Sequence, residues 1–375
     1  MLGQPPIWLI LIAFVCALGP LVFFHELGHY LVARWFRIPA EIFSIGFGRE
    51  LIGWTDKQGT RWKVAWIPLG GYVKFIGDMT PASNPVDIDE IPPELRDRAF
   101  QIRPVWQRFL VVLAGPVANF ILAIAIFAAF FMTLGAPRTN IVGAIVPNTP
   151  AAAAGLKPGD KILSIADRET PSFDEIRSVV ALRPNETVAV EFERDGLRRE
   201  IQVRLKADVE TDEFGQKFER GLLGLYPTTG VLQRLPIYQA VPEATRYTWH
   251  VTRSMADGLG QIISGSRGTE GVGGPIKIAQ IAGQQASLGA LPFVQLLALF
   301  SINLGFINLL PVPMLDGGHL FFYAVEAIRR RPLSARALDW AFRGGLALIL
   351  ALVAFTTIND LGSIGLWDRL QRLIG

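Results

Sequence analysis

His25, Glu26 and His29 stand inside "LVFFHELGHYLVARW", residues 21 to 35, where Leu, Val, Phe and Tyr otherwise suit burial in lipid or a core. They form the pattern H-E-x-x-H, whose i, i+4 spacing sets both imidazoles on one helical face about 5–6 Å apart at Cβ. Two rings so placed can reach one zinc ion, and the intervening carboxylate can handle the proton of a water bound beside them. The chain has four histidines, at 25, 29, 250 and 319, so two of the four fall in this one pattern. His250 reads as an unexceptional surface residue. Ionisable groups at membrane depth are expensive, which makes these three a functional-site hypothesis.

A catalytic zinc site generally takes three protein ligands and leaves a fourth position exchangeable. The third ligand is expected from "NLLPVPMLDGGHL", residues 308 to 320, where Pro and Gly interrupt an apolar segment. Irregular backbone at such depth is tolerated where it is buried in protein or lines a wet cavity. Asp316 and His319 compete there on chemistry alone, with Asp316 favoured because it sits on the irregular turn.

These residues need long apolar elements to carry them. Half of the 375 residues are hydrophobic and 18% are charged, and the mean hydropathy is +0.34. That balance suits a polytopic membrane protein with an attached water-soluble part. Four segments are long enough to span, at about 7–33, 109–134, 291–310 and 338–358. A formal charge of +3 with no aromatic-interleaved basic patch sets nucleic acid aside. Cys16 is the only cysteine, so no disulfide framework or cysteine-based zinc site is expected. The N-terminal run lacks a basic start and a clear cleavage site, so it is expected to be retained.

Arg329, Arg330, Arg331 and Arg336 lie between the last two segments, while the first ten residues carry no charged side chain. By the positive-inside rule the termini then face out, residues 34–108 lie in the cytoplasm and residues 137–290 lie outside. His25 precedes Arg34 by nine residues, about 14 Å along a helix, which puts a metal inside the membrane nearer the cytoplasm.

Residues 140–227 read as a small α/β domain. They run from a strand through an Ala-rich turn of helix and the turn Lys157–Asp160 to another strand, then an amphipathic helix opened by Ser172 and a hairpin about Asp195-Gly196. The succession, and "AGLKPGDKILSI" above all, resembles a PDZ domain. In its bacterial protease form the peptide-binding strand comes last, here Gly221, Leu222, Leu223, Gly224 and Leu225, and such domains add a peptide as a strand to a sheet edge. The four parts of the chain are read as 1–136 (first membrane part), 137–230 (PDZ domain), 231–290 (amphipathic or linker helices at the membrane surface) and 291–375 (second membrane part).

"FFHELGHYLVARW", "PLGGYVKFIGD", "LAGPVANF", "GGPIKIAQ" and "SINLGFINLLPVPMLDGGHL" together resemble the site-2 protease family of intramembrane zinc metalloproteases, in its regulator-of-sigma-E protease branch. The resemblance implies a helical membrane protein of about four spans, with a cytoplasmic-side membrane-associated β-hairpin and an inserted PDZ domain. It implies Zn2+ held by His25, His29 and Asp316, with Glu26 activating water. It assigns Asn303 and Asn308 to substrate handling, although Asn in a membrane bundle is as commonly an interhelical hydrogen-bonder. Gly70, Gly71 and Tyr72 fall in the hairpin thought to engage an unwound substrate.

The implied activity is regulated intramembrane proteolysis in the bacterial inner membrane. Its substrates are single-pass membrane proteins, such as anti-sigma factors or remnant signal peptides, after their external part is shed, as in a stress response. The partners are then those substrates, the lipid bilayer and a peptide for the PDZ domain. One PDZ domain, where the best-known relative has two, departs from the pattern. A proteolytically inactive membrane-bound PDZ scaffold is the rival expectation.

Overall fold

The structure is a computed structural model, describing residues 5–77, 96–136, 140–211, 217–228, 234–265, 273–331 and 333–363. The chain termini, whose side of the membrane the charge pattern addresses, lie outside these residues. Among the described residues, four helices are long and apolar enough to cross a membrane: α1 (Ile7–Trp35), α2 (Val105–Thr133), α7 (Ala290–Leu309) and most of α9 (Ala335–Ser363). The remaining helices are α3 (Pro150–Ala153), α4 (Phe173–Ala181), α5 (Ile237–Ile263), α6 (Pro275–Ser287) and α8 (Asp316–Arg329). The fold is that of a polytopic α-helical membrane protein with a small α/β domain inserted after the second span.

The chain divides into two compact units. The first comprises residues 1–126 and 274–358, and the second comprises 127–273 with 359–375. The segment 231–290, taken as one stretch in the sequence, is shared between them. In the first unit Ala282 of α6 is buried with Ala13 and Ala17 of α1, and a Cβ on Gly283 would come within 2.7 Å of Ile10. Small residues allow such close helix approach in a bilayer, where packing rather than water exclusion drives association.

After α1 the chain forms two long bent strands, β1 (Ala40–Thr55) and β2 (Arg61–Phe75). The segment from Ile42 to Ile45 stands beside Gly71 to Lys74 on one side and beside Arg61 to Val64 on the other. Phe43, Val73 and Phe75 pack with Tyr30 and Ala33 of α1 and with Val111 of α2. This anchors the sheet on α1 and α2. Its far part exposes Leu51, Ile52, Trp54 and Trp66.

The second unit holds the α/β domain. Its four-stranded sheet runs β5 (Arg168–Glu169), β4 (Lys161–Ile165), β6 (Thr187–Arg194) and β7 (Leu197–Arg204). The last two join through Asp195 and Gly196, both at positive φ, as a tight hairpin turn requires. Val142, Ile162, Ile165, Ile176, Val190 and Leu205 fill its core. The strand β3 (Val142–Ile145) pairs with β10 (Leu225–Pro227), and β8 (Lys206–Thr211) pairs with β9 (Lys217–Leu222).

One buried ion pair secures the Lys157–Asp160 turn. The Arg194 Nε and Nη2 donate to the two oxygens of Asp160 at 2.6 and 2.7 Å, and the Lys157 backbone N–H donates to Oδ2 at 2.8 Å. Burial alone would push this carboxyl up, but Arg194 and the Lys157 N–H outweigh it and hold the pKa below the ordinary Asp value. A depressed folded pKa contributes stability that is complete above the unfolded value of about 4 and is lost as pH falls through the folded one. Asp160→Asn is therefore expected to destabilise the domain by about 2 kcal/mol at neutral pH. It should also flatten the acid limb of its unfolding-versus-pH curve, read by thermal unfolding of the purified protein.

Candidate metal centre

The H-E-x-x-H residues sit in the second half of α1, where His25, Glu26 and His29 are each 8% exposed. Asp316 opens α8 after a non-helical link from Leu310 to Leu315. Pro311 and Pro313 stop α7 there, and Met314 takes φ +82°, a left-handed value rare for a side-chain-bearing residue. Gly317 has no room for a side chain, since a Cβ would lie 2.2 Å from the Leu310 carbonyl oxygen. The turn thus folds directly onto the start of α8 and aims Asp316 back at α1.

The three candidate ligands converge. His25 Nε2 and His29 Nε2 are 3.3 Å apart, and Asp316 Oδ2 is 3.1 Å from the first and 3.5 Å from the second. His319 stands one turn further along α8 with its ring 5.1 Å from that of Phe342, and the metal-competent group comprises His25, His29 and Asp316.

The other nitrogens of the two rings are engaged. His29 Nδ1 lies 2.8 Å from the Val111 carbonyl oxygen. A carbonyl can only accept, so Nδ1 carries the proton and Nε2 presents a lone pair. His25 Nδ1 is 3.1 Å from the Asn119 side-chain amide. With Nδ2 turned to the ring, Asn119 Oδ1 is buried with no hydrogen bond among the described residues. Reversing the amide lets Oδ1 accept from Nδ1–H and frees the second Nε2 in the same way.

Three acceptors then meet with no donor between them, and Asp316 Oδ2 is itself buried without a hydrogen bond. A bound cation satisfies that arrangement. Zinc with ligands at about 2.0–2.1 Å has tetrahedral edges of about 3.3 Å, which the three separations bracket. The residues present fit the ion.

Close packing shapes the surroundings. A Cβ on Gly28 would meet the Ala114 carbonyl oxygen at 2.2 Å, and one on Gly115 would meet His29 Nε2 at 2.2 Å. Glu26 faces the sheet, where a Cβ on Gly71 would come 3.1 Å from its Cγ. Gly70 has φ +118° with Phe47 beside it, and the Tyr72 ring stacks on Phe47 at 6.0 Å. The strand edge that begins at Gly71 therefore runs past Glu26.

The remaining candidates fall elsewhere. Asn308 follows Ser301 and Gly305 at i+7 and i+3 along α7. Ser301 Oγ donates to the Asn119 carbonyl at 2.7 Å, and Gly305 lies against Pro116 and Phe120, so Asn308 shares the face turned to α2. Asn303 is about 200° round the helix from Ser301. Both asparagines are half-buried. In the second unit Gly221, Leu223 and Gly224 are buried, and Leu225 begins β10, which pairs with β3 along one edge. The sequence assigned no site role to Val111, Gly115 or Asn119, although the last two fall in "LAGPVANF". A carbonyl leaves no sequence signal, but a lone Asn within an apolar span, four residues after a Gly, is one.

The chain is similar to known proteins along most of its length. The profile of peptidase family M50 matches residues 13–352. A protein of Agrobacterium fabrum provisionally named a zinc metalloprotease is 43% identical over 361 residues, covering 94% of this chain and 96% of its own. The metalloprotease MmpA of Caulobacter vibrioides is 41% identical over 379 residues, covering 94% and 95%. Among solved structures, the PDZ domain of an SdrC-like protein from Listeria monocytogenes is 20% identical, covering 24% of this chain and 87% of that domain, with a TM-score of 0.19.

Proposed function

We propose, from the premise that this chain belongs to peptidase family M50 and is a membrane-embedded zinc metalloprotease, that it performs regulated intramembrane proteolysis. Its substrates are single-pass proteins of the bacterial inner membrane, anti-sigma factors or remnant signal peptides, cut after their external part has been shed. The observation that carries this reading is the buried convergence of His25, His29 and Asp316 on helices of the membrane unit.

In this reading His25, His29 and Asp316 hold zinc, which when bound polarises the scissile carbonyl and acidifies a water. Val111 and Asn119 keep both imidazoles in the tautomer that presents Nε2. Glu26 takes the proton of the water and returns one to the leaving amine. The substrate helix must unwind before its carbonyls are accessible, and the strand edge from Gly71 would hold it extended beside Glu26. Asn308 and Asn303 help handle the substrate.

The charge asymmetry about α8 and α9 supports a cytoplasmic-side site, with the PDZ domain and both termini outside. An external domain that takes peptide ends along β10 would favour substrates already trimmed and exclude bulky ones. The test uses purified protein in detergent with a single-pass model substrate, with and without its external domain. The trimmed form should be cut within its span, a zinc chelator should reduce the rate at least about a hundredfold, and added Zn2+ should restore it. Equal cleavage of the untrimmed form, or cleavage that persists in chelator, contradicts the reading.

A further inference from the structure

Arg108, Val111, Gly115 and Asn119 form one stripe of α2, at i, i+3, i+7 and i+11. The last three contact the two histidines, whereas Arg108 reaches α8. Its Nη2 donates to Glu326 Oε1 at 2.6 Å, with the two side chains 14% and 16% exposed. Its guanidinium lies over the Tyr323 ring at 4.9 Å, and its Nε donates to the Arg103 carbonyl at 3.1 Å. Three directional contacts hold this side chain in one place.

An ion pair withdrawn from water gains little net stability, and its best-attested use is to specify one arrangement over a neighbouring one. Glu326 lies ten residues after Asp316 on the same helix, about 15 Å along its axis. A helix is stiff over that length, so fixing its rotation and axial position at Glu326 and Tyr323 fixes where the Asp316 carboxylate stands. The link before Asp316 sets where α8 begins, and the contacts at Glu326 and Tyr323 fix the helix at its other end.

We propose that Arg108 is a positioning residue for the metal centre. Through Glu326 it sets the register of α8 against α2, and so brings Asp316 to the imidazoles that the same stripe of α2 orients. One helix thereby references all three ligands. This rests on the reading of His25, His29 and Asp316 as zinc ligands.

The test is zinc affinity of the full-length protein in detergent, measured by competition with a chromophoric chelator, for Arg108→Gln, Glu326→Gln and the double variant. Each single change should weaken zinc binding about tenfold or more. The double should be no weaker than the worse single, because one interaction is being removed twice. Arg108→Lys, which keeps the charge without the fork, should fall between. Unchanged affinity, or additive losses, overturns the proposal.

Thermal unfolding in chelator separates a merely structural role. Lower stability of the metal-free protein with unchanged zinc affinity also overturns the proposal. If Arg108→Gln does not fold, Glu326→Gln, which keeps the volume of the side chain, carries the test alone. A wild-type protein that binds no zinc would instead remove the metal reading itself.

Discussion

Glu26→Gln should lower peptide hydrolysis about a thousandfold while zinc affinity stays within a few fold of wild type. The separation follows from position. Glu26 shares the helix of His25 and His29 but stands outside the group of three converging ligand atoms. Its side chain instead lies against the strand at Gly71. Gln keeps the shape, but it has no lone pair basic enough to take a proton from water. The measurement pairs a cleavage rate on a trimmed single-pass substrate with a zinc titration. A variant that cuts within tenfold of wild type would show that another group handles the proton.

Gly115→Ala should weaken zinc binding at least about a hundredfold and abolish cleavage, although it adds a single methyl. Within a helix Ala is favoured over Gly by about 1 kcal/mol, so α2 itself gains from the change. The cost lies opposite, where the new Cβ would sit 2.2 Å from His29 Nε2, the atom that faces the metal. The ring cannot withdraw freely, because its Nδ1 is bound to the Val111 carbonyl one turn earlier on the same helix. Gly344→Ala is the control, since a Cβ there meets nothing within 4 Å. If Gly115→Ala binds zinc as wild type does, the close approach of α2 to His29 does not shape the centre.

Much of this protein is local and therefore written along the chain. The i, i+4 spacing of His25 and His29 presets two ligands on one face of α1, because helical geometry follows from the backbone alone. The four apolar segments announce themselves by length, since a bilayer of about 30 Å demands about twenty apolar residues. Alternation about Asp195-Gly196 marks the β6–β7 hairpin for a similar reason, since a two-residue turn constrains its neighbours.

Long-range choices were not written in this way. Residues 231–290 read as one surface segment because amphipathic patterns do not name their partner. In the fold Ala282 and Gly283 of α6 pack on α1, while α5 belongs to the other unit. The Val111 carbonyl could not be foreseen as a partner of His29, since every residue carries a carbonyl and only helix packing selects one. Asn119 and Gly115 gained their places from the distance between α1 and α2, which no pattern within either helix encodes.

The sequence by itself determined that two histidines share a face of an apolar helix with a glutamate beside them, and pointed to the interrupted segment at 308–320 for a third ligand. The sequence favoured Asp316 over His319 without fixing the choice, and the tertiary structure puts the Asp316 carboxylate beside the imidazoles. Asp316 and His319 lie three residues apart, and both are acceptable to zinc. The path of the backbone through Pro311, Pro313 and the left-handed Met314 starts α8 at Asp316. It turns that carboxylate to the imidazoles and leaves His319 against Phe342.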